Sequence, residues 1–155
     1  MTDRLCAVTL DDNGLPAPTP EMMQERQVAI FDLLEENSFA LPNVDTSGPF
    51  ALTLSARDRR LTFDLRTESG APVTDFYLSL TPFRQIIKDY FEICESYFDA
   101  VKRLGPAQIE AIDEGRRGIH DEGARVLQER LDGKATIDMA TSRRLFTLVS
   151  VLHSR

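Results

Sequence analysis

The chain contains no tryptophan, two cysteines and two histidines among its 155 residues, and each scarcity removes a class of protein. Cys6 and Cys94 make no CxxC pair, so a disulfide framework or thiolate metal site is not expected. Such sparse cysteine use suits a reducing cytoplasm. No apolar run approaches the roughly 18 residues of a membrane span. The opening "MTDRLCAVTLDD" lacks a basic start followed by a long apolar stretch, so no signal peptide is expected. HExxH, EF-hand, GxGxxG, GxxxxGK[ST] and GxSxG patterns are all missing. No metal, cofactor or motif-declared enzyme class is therefore expected. Net positive charge is lacking too: the formal charge is −7. Residues 1–100 carry 8 basic and 17 acidic side chains, residues 101–155 carry 10 and 8. Nucleic-acid binding, which needs a basic surface to release counterions, is not expected.

What is present suits one globular domain over 1–155, long enough to bury a core without staples. There are no repeats or low-complexity tracts, and "DDNGLPAPTP" and "LPNVDTSGP" read as ordered connections. "RLCAVTL" at 4–10 reads as a strand. Thr19 followed by Pro20 and Glu21 opens a helix, with Met23, Ile30, Leu33 and Leu34 on one face. "PFALTLS", "RLTFDLR" and "VTDFYLSL" alternate strictly, aiming Phe50, Leu52, Leu54, Leu61, Phe63, Leu65, Phe76, Leu78 and Leu80 to one side. That is an antiparallel meander with one face packed and the other wet.

The rest of the chain is helical. From about 82 to 104, Phe83, Ile86, Ile87, Tyr90, Phe91, Cys94, Tyr97, Phe98, Val101 and Leu104 form one apolar arc. Cys94 lies at its centre and reads as a buried, inert thiol. "GP" at 105–106 separates this helix from a third, which ends near "DGK". A fourth, about 137–153, is apolar almost all round, so it is central or sits in an oligomer interface. His153, near its end, is expected to be frayed or at the surface. The fold class is α+β: a small antiparallel meander sheet plus an N-terminal strand, with one face covered by about four helices.

The third helix carries polar groups on its apolar side. Ile109, Ile112, Ile119, Gly123, Val126, Leu127 and Leu131 span an arc of about 140°, and Arg116 and His120 fall inside it. Asp113 lies at its edge. On the fourth helix Arg144 sits among Ala140, Ile137, Leu148 and Val151, while Arg143 points elsewhere. A buried guanidinium needs a partner. Candidates are an internal carboxylate such as Asp113, a bound anion, or an acid of another subunit. His120 reads as a hydrogen-bonded core residue or as a proton-transfer group tuned by Asp113. Gly115, Gly118 and Gly123 imply close packing, a kink, or a ligand near the backbone.

The runs "LSLTPFRQIIKDYFEICESYFDAVK", "PAQIEAIDEGRRGIHDEGARVLQERL" and "RRLFTLVSVLH", with "VTL" at 8–10 and "VAIFDLLEEN" at 28–37, resemble uncharacterised protein family 0262, small proteins of alphaproteobacteria. The resemblance covers nearly the whole chain and includes the "GRRGIH" segment. It implies a bacterial cytoplasmic protein of unassigned function, with no catalytic or binding residue to carry over. The expectation from the residues is a soluble, cytoplasmic binding or interaction protein and a homo-oligomer. Its sharper form is a small-anion site at Arg116, His120 and Arg144, on the third and fourth helices. The alternative is a small enzyme using His120 as acid/base with Asp113 and Arg116. A third reading is a regulatory partner whose acidic N-terminal two-thirds meets a basic surface.

Overall fold

The structure, a computed structural model, describes residues 3–15 and 17–153. Met1, Thr2, Pro16, Ser154 and Arg155 lie outside the described residues, so the connection read at 11–20 is seen without Pro16. The order is β1 (Leu5–Asp11), α1 (Pro20–Glu35), β2 (Phe39–Ala40), β3 (Phe50–Arg57), β4 (Arg60–Thr67) and β5 (Pro72–Ser79). A 3-10 turn (Thr81–Phe83) then leads into α2 (Arg84–Arg103), α3 (Pro106–Leu131), β6 (Thr136–Ile137) and α4 (Met139–His153).

The α+β reading holds, with a mixed sheet of order β1-β3-β4-β5. The meander is β3-β4-β5, pairing Phe63 with both Leu54 and Phe76. Asp58 and Arg59 both take positive φ, which closes the β3–β4 hairpin with a tight turn. The N-terminal strand joins parallel to β3, which α1 makes possible by carrying the chain back. A register shift between Leu5 and Ala7 turns Leu5 to the inner face with Val8 and Leu10. The two-residue β2 and β6 pair into a second small sheet that the sequence pattern did not announce.

One face of the main sheet carries the core. Phe50, Leu52, Leu54, Leu61, Phe63 and Leu65 are all buried. Against it lies α4, which also packs on α1, α2 and α3. Leu145, Phe146, Leu148, Val149, Ser150, Val151 and Leu152 are buried within the chain's own fold. Of the two readings of this all-round apolar helix, the central one is what the fold shows. Its polar members are bonded internally: Ser142 Oγ donates to the Ala124 carbonyl at 2.6 Å, and Ser150 Oγ to Phe146 at 3.0 Å.

Two helices sit differently from their expected faces. In α1 the buried side chains are Ala29 and Leu33, whereas Met23 and Leu34 are exposed. The packed stripe is rotated because α1 lies between β1 and α4 rather than flat on the sheet. In α2, Ile87, Tyr90 and Cys94 are buried but Val101 and Leu104 are exposed. Residues 101–108 are exposed without exception. The α2–α3 turn therefore stands clear of the core, and only the two helices cover one another there. Gln108 Oε1 accepts the Gly105 backbone N–H at 2.9 Å and closes the start of α3.

Candidate functional site

α3 runs without a break from 106 to 131, so the angular placing of Arg116 and His120 on its inner side is realised. Arg116 lies where α3 leaves the core and meets α1 and α2. Its Nε and Nη2 both donate to Asp113 Oδ1, at 3.2 and 2.7 Å. Nη1 lies 3.9 Å from Glu25 Oε1, and the guanidinium carbon stands 4.2 Å over the Tyr97 ring. The side chains of Arg116, Asp113 and Glu25 are only 25%, 28% and 24% exposed. Burial alone would lower the Arg116 pKa, but the Asp113 hydrogen bonds and nearby acids hold it above the ordinary value. The internal carboxylate is thus the first of the three expected partners to be met. Asp113 also binds Arg117 Nε through Oδ2, at 3.3 Å.

Glu25 is the residue the sequence reading missed. Its Oε1 accepts the Tyr90 hydroxyl at 3.2 Å. Burial pushes its carboxyl above the usual range, while Tyr90 and Arg116 pull the other way. Tyr90 is itself pushed well up, first by burial and then by the Glu25 carboxylate. Cys94, beside Tyr90, is raised to about 11 by burial first and Glu25 second. At neutral pH it is therefore a thiol, as the inert reading expects. The signal for Glu25 was available. Counted at about 100° per residue from Leu33, it falls at the edge of the stripe formed by Met22, Ala29 and Leu33.

One turn beyond Arg116, His120 is wedged between Tyr90 and Phe146, each ring centroid 5.3 Å away. Its Nε2 is 2.8 Å from Thr147 Oγ1, whose hydroxyl donates to the Arg143 carbonyl at 3.3 Å. We assign the imidazole hydrogen to Nε2, because that lets the Thr147 hydroxyl keep its bond to the carbonyl, and this leaves Nδ1 the bare nitrogen. Burial lowers the pKa to about 4; Asp121 opposes, and Arg116 and Arg143 deepen the depression. His120 is neutral at pH 7. Asp113, expected to orient it, spends its oxygens on Arg116 and Arg117, and the hydroxyl of Thr147 orients the ring instead. Gly123 makes this packing feasible: a Cβ there would come within 2.2 to 2.5 Å of three Phe146 ring carbons.

The two arginines of α4 exchange the roles expected of them. Arg144 Nη1 donates to the Glu36 carbonyl at 3.1 Å and closes the end of α1. Arg143 turns toward α3, where Nε donates to Asp121 Oδ1 at 2.8 Å. A cavity of about 390 Å³ is lined by Tyr90, Arg116, Arg117, His120, Asp121 and Arg143. Behind it a hollow of about 260 Å³ touches His120, Thr147, Arg143 and Arg144. Arg116 and Arg144 thus line different cavities, with His120 between them. His153 is half-buried rather than at the surface, with its pKa lowered by burial and by Arg84. Among the described residues no group of three or more His, Cys, Asp or Glu could hold a metal ion. No helix among them is long and apolar enough to cross a membrane.

Comparison with known proteins adds a lineage. The sequence model described as "Uncharacterised protein family (UPF0262)" matches residues 2–155. A "UPF0262 protein" of Jannaschia sp. is 65% identical over 150 residues, covering 96% of this chain and 96% of the relative. One of Paracoccus denitrificans is 62% identical over 154 residues, covering 97% and 95%. A third, of Dinoroseobacter shibae, is 64% identical over 153 residues, covering 96% of both. No solved structure matches.

Proposed function

We propose that this chain, which belongs to the uncharacterised protein family UPF0262, is a binding protein whose ligand is a small anion held between α3 and α4. The observation that carries the reading is that three arginines, Arg116, Arg117 and Arg143, line one cavity beside a neutral imidazole. A carboxylate or phosphate matches guanidinium forks in shape and charge. Arg117 and Arg143 are half-exposed, and Arg143 is paired with the equally exposed Asp121. An exposed pair of this kind is worth about 0–1 kcal/mol, so a ligand's oxygens can replace Asp121 at little cost. Arg116, fixed by Asp113, supplies the ordered part of the site. His120 contributes shape, with its hydrogen committed to Thr147.

Two free thiols support a reducing compartment, in keeping with the cytoplasm. Self-association, expected from α4, loses that motive because α4 is enclosed. It rests now on the outer face of α1, where Phe31 is 63% exposed beside Val28. Light scattering tests it, and a monomer at every concentration removes it.

The anion reading is tested by thermal melting with inorganic phosphate, acetate and succinate. Ligand at a hundred times its Kd stabilises by about 2.7 kcal/mol. Wild type is expected to gain several degrees with at least one anion, as is Arg144→Met. Arg116→Met and Arg143→Met should lose the gain. No shift in wild type, or equal loss in Arg144→Met and Arg143→Met, overturns the proposal.

A further inference from the structure

A hollow of about 670 Å³ lies away from His120, between the start of α1 and the outer face of α2. α2 presents Phe91, Glu95 and Phe98 along this face, because positions four and three residues apart stack on successive turns. α1 presents Glu21, Met22 and Glu25 opposite them. The groove thus has an apolar floor of two phenylalanines and a methionine, and a carboxylate rim contributed by both helices. Asp99 extends that rim and is paired with Arg103. Lys102 is the single cation of the lining. Among the described residues, no hydrogen bond or ion pair engages the carboxylates of Glu21 or Glu95.

We infer that this groove is a binding site for a small organic cation, an amine or guanidine carried on an apolar body. Its size falls in the roughly 300–1,000 Å³ range of small-ligand sites, which combine apolar walls with a few placed polar groups. The lining selects among ligands by charge. An uncharged apolar molecule would cover the floor while stripping water from unpaired carboxylates, a desolvation with nothing in return. An anion would face four acids against one ammonium. A cation on an apolar body satisfies both surfaces: the body lies on Met22, Phe91 and Phe98, and the charge sits between the carboxylates of the two walls. Aromatic faces add their own attraction for a desolvated cation. The inference does not rest on the anion site: Glu25 and Cys94 of the lining both interact with Arg116, but the carboxylates of Glu21 and Glu95 that the cation would meet do not take part there.

The test is a titration of the full chain with three probes that share one body, 4-phenylbutylamine, 4-phenylbutanol and 4-phenylbutyrate, followed by amide NMR shifts. The amine is expected to saturate, moving amides of residues 21–25 and 91–98. The alcohol should bind about tenfold more weakly and the carboxylate more weakly still. Glu21→Gln with Glu95→Gln should reduce amine affinity about tenfold and strengthen binding of the alcohol, whose desolvation cost falls; Phe98→Ala should weaken both. Equal affinity for amine and alcohol overturns the inference. So do amine shifts that map outside the groove, or amine affinity unchanged in the double variant.

Discussion

Alanine placed at each of three glycines along α3 should give three different results, although the chemical change is the same. At Gly118 a new methyl group meets nothing within 4 Å, so only helix propensity changes. Alanine is about 0.8–1.0 kcal/mol better than glycine in a helix interior. For a chain of this size, that raises the melting temperature by about 2–4 °C. At Gly115 the methyl would lie 2.8 Å from Ile93 Cδ1, the end of a flexible, partly exposed side chain. A rotamer shift relieves most of that contact, leaving a net change within about 0.5 kcal/mol. At Gly123 the methyl would meet three ring carbons of Phe146, which is fully enclosed and cannot swing away. Overpacking costs about 1–3 kcal/mol, and this contact belongs at the upper end. Subtracting the propensity gain leaves a loss of about 2 kcal/mol, or a melting point lower by about 4–8 °C. Urea midpoints and thermal melts of the three variants decide the matter. A destabilised Gly118→Ala would mean that α3 is not continuous through the "GRRG" segment, and the placing of Arg116 and His120 would fall with it. A neutral Gly123→Ala would mean that Phe146 does not press on α3.

His120 is held neutral by burial, with a pKa of about 4 against an ordinary 6.5. A base whose folded pKa is depressed gives stability that is present above pH 6.5 and is lost as pH falls toward 4. Between pH 7 and 5 this group alone should cost about 2 kcal/mol. Urea midpoints of wild type should therefore fall more steeply than those of His120→Gln, and parallel curves would refute the assignment. Glu25 runs the opposite way: its raised pKa means the fold favours the protonated form. Glu25→Gln should be more stable than wild type at pH 8, with the advantage shrinking as pH falls into the carboxylate range. A pH-independent difference would show that burial is not its dominant cause. Thr147→Val strands the Nε2 hydrogen of His120, at a cost of about 1–3 kcal/mol. It should also change the imidazole nitrogen shifts in NMR, which a loss of packing alone would leave in place.

How much of this was legible in the sequence depends on whether the information is local. Strict alternation at 50–54, 61–65 and 76–80 fixes which strand face is inward, and the strands pair as that pattern requires. The Asp113–Arg116 pairing was within reach because three residues on a helix are neighbours. The repeat could place Glu25 at the edge of the α1 stripe but not beside Arg116, since it says nothing of which helix packs opposite. The same gap explains the exchange between Arg143 and Arg144. Periodicity placed Arg144 on the apolar flank, but the partner at that position proved to be a carbonyl at the end of α1. The rotated stripe of α1 has the same origin: its apolar positions admit two overlapping faces, and contact with β1 and α4 chooses between them. β2 and β6 are two residues each, too short for any alternation.

The central place of α4 has a consequence for how the chain is made. It is synthesised after the sheet and the other three helices, yet they are arranged around it. At about 5–20 residues per second, a ribosome releases all the surrounding walls before it delivers the pillar they enclose. Until then the inner faces of β3, α1 and α3 have no α4 to cover them. A nascent chain stalled near residue 131 can pair its strands and pack α2 on α3, but the faces that α4 covers stay open until it emerges. A cavity opened among the buried side chains of α4 is felt by the sheet and by all three other helices.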